Sequence, residues 1–204
     1  MTGARLSRTA RREQLVVLGH ELIADSSFDA VSVDDVASAA GISRGLLFHY
    51  FPTKRDFQVA VAERAGDELL AATATDATAT PLEQLRAGVE QLIDHVAPRR
   101  DAYISLVRGA ASGEPELRAV GDRTRAVLAD RVVEGLGLRE VPPEVEIVVR
   151  GWVVSTEEVI VSWLVDRDLD RARLVDVIVD TLLLPIASRL DPAEVERLGR
   201  SAAD

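Results

Sequence analysis

Ser43, Arg44, Gly45, Leu46, His49 and Tyr50 fall within two turns' length of chain. On a helix they set out a hydroxyl, a guanidinium, bare backbone, an apolar group and two polar-tipped rings. This is a mixture that can read base edges when a helix enters the major groove amino end first. Glycine inside a helix costs about 1 kcal/mol relative to alanine, and a close approach of backbone to DNA would explain keeping Gly45. Lys54 follows Pro52 and Thr53 at the start of another helix, where amide dipoles and a positive side chain can hold one phosphate together.

The elements that must position these residues lie in the segment 32–54, SVDDVASAAGISRGLLFHYFPTK. Ser32 precedes Asp35 by three residues, which opens a helix with its free amides capped. Ala37 is small enough for a close crossing, Gly41 suits a left-handed corner, and Ile42 and Leu47 are spaced to pack under the turn. The spacing predicts two short helices crossing steeply, a helix-turn-helix. The same spacing also fits a structural corner that touches no DNA. Each outward residue has a plain reading too: Arg44 as a solvated charge, His49 packed on Phe51, Tyr50 as an aromatic at the edge of a core.

Apolar residues recur at helical spacing along nearly the whole chain, and Gly, Pro and small polar clusters cut it into helix-sized pieces. An all-α protein is predicted. The expected helices run at about 9–25, 33–40, 43–50, 53–72, 81–96, 99–111, 116–136, 144–165 and 171–190, with a short terminal one from Asp191-Pro192. The stretch 73–80, TATDATAT, reads as a linker. The expected organisation is a three-helix head, residues 1–52, and a larger ligand-binding and dimerisation body, residues 53–204. The helices at 144–165 and 171–190 carry apolar residues on more than one face, which predicts a two-fold, four-helix interface in a homodimer.

Trp152, Ser155, Thr156, Val159 and Trp163 form one stripe at spacings of three and four. They read either as ordinary core or as the wall of a mostly apolar pocket. Tyr103 and Arg108 are candidates for the same pocket, so the candidate ligand set is Tyr103, Arg108, Trp152, Thr156 and Trp163. Of the adjacent pair Glu157 and Glu158, one is expected to face solvent and the other to serve an interface or ligand.

The chain of 204 residues has a net charge of -10 and a pI near 4.9, which taken whole argues against phosphate binding. The average conceals an asymmetry. Residues 1–60 hold seven basic and seven acidic side chains, residues 61–204 hold 17 and 27, and the first twelve residues carry Arg5, Arg8, Arg11 and Arg12 with no acid. That amino end is a basic arm suited to diffuse phosphate attraction. There is no Cys, and His20, His49 and His95 are far apart, so neither a disulfide framework nor a metal site is expected.

No nucleophile elbow, phosphate loop, dinucleotide fingerprint or zinc-protease motif occurs, so no catalytic residue and no cofactor is expected and an enzyme is the weak alternative. No targeting segment is visible, and no apolar stretch reaches the roughly 18 residues that span a bilayer. A soluble, cytoplasmic protein without a membrane partner is expected.

Residues 5–70 resemble the amino-terminal domain of the tetracycline-repressor (TetR) family of bacterial transcription regulators. The resemblance rests on Ser32, Val36-Ala37, Ala40-Gly41-Ile42-Ser43, Gly45, Phe48-His49-Tyr50-Phe51 and Lys54. It implies a dimeric repressor whose body binds a small-molecule effector and changes the separation of two heads on double-stranded operator DNA. By the family pattern Ser32, Tyr50 and Lys54 touch phosphates, and Arg44, Gly45, Leu46 and His49 face base edges. Ser43 and Thr53 complete the DNA-facing set. Phe48 stands where the family usually has Tyr, Leu46 where it has a small or hydroxyl residue, and Ser27 where it has Gly. The near-neutral head keeps one other reading open, a helical dimeric module that binds protein through its head.

Overall fold

A computed structural model describes residues 7–24, 31–111 and 114–198. Arg5 of the basic arm, the expected helix end at Asp25-Ser26-Ser27 and the break at Ser112-Gly113 lie outside the described residues. Among those described there are ten α-helices and no strand: α1 Arg8–Ala24, α2 Val33–Ala39, α3 Arg44–Tyr50, α4 Lys54–Ala72, α5 Pro81–Val96, α6 Arg100–Ala111, α7 Pro115–Gly135, α8 Pro143–Asp166, α9 Arg171–Ala187 and α10 Pro192–Leu198. A single 3₁₀ turn, Ala97–Arg99, joins α5 to α6.

Local chemistry sets the ends. At α2, Ser32 Oγ accepts from the Asp35 amide while the Asp35 carboxylate accepts from the Ser32 amide and hydroxyl, a reciprocal capping box. Thr53 and Asp56 make the same arrangement at α4, and Thr80 and Glu83 make it at α5. Helix α2 stops at Gly41, whose φ of +63° is a left-handed conformation that glycine enters without a Cβ penalty. There the Ile42 amide donates to the Ala37 carbonyl and the Gly41 amide to Ser38, the paired bonds of a Schellman stop.

The helices gather into two compact units: Met1–Glu68 with Arg99–Gly121, and Leu69–Pro98 with Asp122–Asp204. The first unit thus extends past the expected boundary at residue 52. The reason is side-chain burial: Phe57, Ala60 and Val61 of α4 and Leu117 and Val120 of α7 share one core with Leu15 and Val16 of α1, Val36 of α2, Leu47 of α3 and Phe51. Ala102 and Leu106 of α6 pack against that core. A head ending at residue 52 would leave Phe51 and Leu47 without these partners.

In the second unit α9 packs against both α5 and α8. Val149, Ile160 and Leu164 of α8 and Leu174, Val175, Ile178, Leu182 and Ile186 of α9 are almost fully buried. Two ion pairs, Arg86 with Asp176 and Arg171 with Asp94, join α5 to α9 at 2.8 and 2.7 Å. The same two long helices keep a second, solvent-facing apolar side: Ile147 and Leu184 are 71% and 74% exposed, with Val154 and Val177 one helical repeat away on each.

Candidate nucleic-acid interface

Helix α3 is held by one anchor and one cap. Leu47 is fully buried, which turns the opposite side of this two-turn helix outward. Ser43 Oγ accepts from the Leu46 amide at 3.2 Å, so its hydroxyl hydrogen stays available to an acceptor. Ser43, Arg44, Gly45, Leu46 and His49 are all exposed, and Tyr50 is half-buried against the core edge. The outward face expected from the sequence is therefore a contiguous surface.

Gly45 has no packing reason within the chain. A Cβ placed there would find only Ser43 Oγ, at 4.0 Å. Its helical cost is therefore not explained by any contact among the described residues. Leu46, 41% exposed, offers an apolar contact of the kind a thymine methyl accepts. The His49 ring lies edge-on to Tyr50, 5.7 Å between centroids, and its carbonyl accepts from Arg8 of α1.

Arg44 is restrained. Its Nη1 donates to Asp34 Oδ2 on α2 at 2.8 Å, with both side chains 61% exposed, and its guanidinium lies 5.5 Å from the Phe48 ring centroid. An exposed pair of this kind is worth about 0 to 1 kcal/mol, so it orients Arg44 without immobilising it. Asp34 went unnoticed in the sequence because its partner lies ten residues away across the turn.

Ser32 and Thr53 are occupied by their own helix caps. The Ser32 hydroxyl and amide hold the Asp35 carboxyl below its ordinary range, and a phosphate at Ser32 would have to share that hydroxyl with an anion. Lys54, by contrast, is exposed in the first turn of α4 and pairs with no acid among the described residues. On α1, Arg12 lies over the buried Phe51 ring, 4.9 Å from its centroid, and Arg11 is bonded to Gln14.

The candidate ligand residues fall in both units. Tyr103 is buried in the first, where Arg108 lines an open groove of about 820 Å³ together with Lys54, Arg55, Gln58, Ser105 and Leu117. Arg108 has no ion-pair partner among the described residues, whereas Arg55 is paired with Glu114. In the second unit Trp152 is buried and its Nε1 donates to the Ile178 carbonyl at 2.9 Å, tying α8 to α9. Thr156 is buried one turn on. Trp163 lies 11 residues from Trp152, about 16 Å along the axis at 1.5 Å per residue. Its Nε1 donates to the Leu169 carbonyl and its ring carries the Arg167 guanidinium. It closes the end of α8, where Arg167 is left-handed.

Of the two adjacent acids, Glu157 is the inward one: Arg125 of α7 donates to it at 2.8 Å, and Glu158 is exposed. Burial pushes the Glu157 carboxyl above its ordinary range, and the Arg125 hydrogen bond offsets only part of that. Among the described residues no group of His, Asp and Glu is arranged to hold a metal ion, and no helix is long and apolar enough to cross a membrane.

The description of bacterial regulatory proteins of the tetR family matches residues 15–61. That of a tetracyclin repressor-like C-terminal domain matches residues 81–184. The crystal structure of a tetR-family transcriptional regulator from Streptomyces coelicolor is 30% identical. It superposes with a TM-score of 0.82 over 97% of this chain and 90% of that one. The HTH-type transcriptional activator FasR of Mycolicibacterium smegmatis is 30% identical over 119 residues, 57% of this chain and 54% of that protein, so the match spans about half the length of that relative. Thermus thermophilus FadR, a TetR-family repressor solved with lauroyl-CoA, shares the fold at a TM-score of 0.69 and 24% identity, over 89% of this chain and 98% of that one.

Proposed function

The chain belongs to the tetR family of bacterial regulatory proteins, and from that premise we propose that it is a homodimeric, ligand-responsive transcriptional regulator. In this reading it represses by occupying a palindromic operator and leaves it when a small lipophilic molecule binds. The observation that carries the proposal is the outward face of α3: a capped, Leu47-anchored helix presents Arg44, Gly45, Leu46 and His49 to solvent, with a glycine that no internal contact requires. In this reading Arg44, Gly45, Leu46 and His49 face base edges and Ser32, Tyr50 and Lys54 touch phosphates, with Ser43 and Thr53 completing the DNA-facing set.

Two heads reading one turn apart would recognise half-sites whose centres are about 34 Å apart or slightly more. The exposed stripe of Ile147, Val154, Val177 and Leu184 supports pairing of α8 and α9 with their two-fold copies. The effector reading has two separate sets of candidates, Tyr103 and Arg108 in the first unit and Trp152, Thr156 and Trp163 in the second. Its expected coupling to operator release is about 1 to 3 kcal/mol.

Selection of bound sequences from random duplexes tests the DNA reading. An inverted repeat is expected, with Lys54→Ala weakening all sites alike and Arg44→Ala relaxing preference at one base position; recovery of no inverted repeat would reject it. For the effector, lipophilic compounds are screened for release of the selected duplex from the parent and from Trp152→Ala. Equal release from both would remove Trp152 from the site.

A further inference from the structure

Among the described residues Asp34 is the one acid whose carboxylate is bonded to a side chain of α3, and the cap of α2 is made by Asp35, not Asp34. We propose that Asp34 determines specificity by positioning Arg44, and that its charge discriminates against DNA on which Arg44 finds no guanine. The inference rests on the reading of α3 as the DNA-reading helix.

The geometry gives Arg44 two restraints at once, an Oδ2 at 2.8 Å and the Phe48 ring 5.5 Å away. A guanidinium has five donors in a fixed plane. Two of them can bridge guanine O6 and N7 while another stays on Asp34, so the fork arrives with its orientation already set. On a site without that guanine, Arg44 gains most by turning to a phosphate. That move strips Asp34 of its cation and leaves a bare carboxylate beside the polyanion, an unfavourable like-charge approach. The penalty falls on the wrong sequences and spares the right one. Phosphate attraction alone cannot supply such a difference, because it is the same on every sequence.

The test uses the full-length protein, the duplex obtained by selection, and a scrambled duplex of equal length and composition at one salt concentration. Asp34→Asn keeps the shape and removes the charge. The expected result is a scrambled-duplex affinity raised about three- to tenfold, a smaller change on the selected duplex, and a broadened base profile at the position Arg44 reads. In an Arg44→Ala background the same change should move both duplexes by one common factor, since no guanidinium is left to position. Equal shifts on the two duplexes with Arg44 present would overturn the inference, as would an unbroadened profile. A parent protein that binds neither duplex would overturn the DNA reading itself, before any variant is made.

Discussion

Gly19 of α1 faces the ring of Phe57 on α4 so closely that a Cβ at position 19 would lie 2.3 Å from Phe57 Cζ. Phe57 cannot yield easily, because it is 3% exposed and meets Phe51 edge-on at 5.1 Å between ring centroids. Gly19→Ala is therefore expected to destabilise the protein by about 1 to 3 kcal/mol, the usual scale for overpacking a core. Since Phe51 directly follows α3, operator affinity should fall as well. Chemical denaturation of the variant checks the first expectation, and an unchanged midpoint would contradict it.

Gly45 presents the opposite case. With open space around it, Gly45→Ala should raise the stability of the free protein, by up to about 1 kcal/mol from helix propensity alone. If α3 seats its backbone against DNA, the same methyl group should weaken operator binding. A variant with a higher melting temperature and lower operator affinity is the expected outcome; undiminished affinity would free Gly45 from any contact role.

The solvent-facing apolar stripe on α8 and α9 predicts the effect of a charge there. Leu184 is 74% exposed, so Leu184→Asp disturbs little inside one chain. In a two-fold interface the residue meets its own symmetry copy or a near neighbour. Sedimentation should then report a monomer at micromolar concentration and a matching loss of operator affinity. A dimer that survives the substitution would place the interface elsewhere.

Glu157 gives a pH dependence whose sign is fixed. Burial holds its folded pKa above the unfolded value of about 4.5, so between those two values the native state binds more protons than the unfolded one. Stability from this group is therefore present at low pH and is lost as pH rises through the folded pKa. Glu157→Gln, which still accepts from Arg125, should remove that slope. Denaturant midpoints of parent and variant compared from pH 4.5 to 7 read it directly, and parallel profiles would contradict it.

What the sequence could determine by itself is whatever chemistry acts within a few residues. The capping boxes at Ser32, Thr53 and Thr80, the left-handed corner at Gly41, and the 3.6-residue period of buried positions in α8 and α9 are each local, so helix number, helix limits and the outward face of α3 were legible in one dimension. The tertiary structure decided what depends on distances between remote positions. Glu157 and Glu158 are indistinguishable by type and neighbourhood, and only the crossing of α7, which brings Arg125 to 2.8 Å, makes Glu157 the inward acid. The same holds for Trp152, whose indole bond to the Ile178 carbonyl of α9 cannot be read from spacing along α8. Arg44 gains Asp34, and Gly19 its necessity, from chain segments that periodicity cannot align, because burial and pairing are properties of a packed arrangement and not of spacing along one helix.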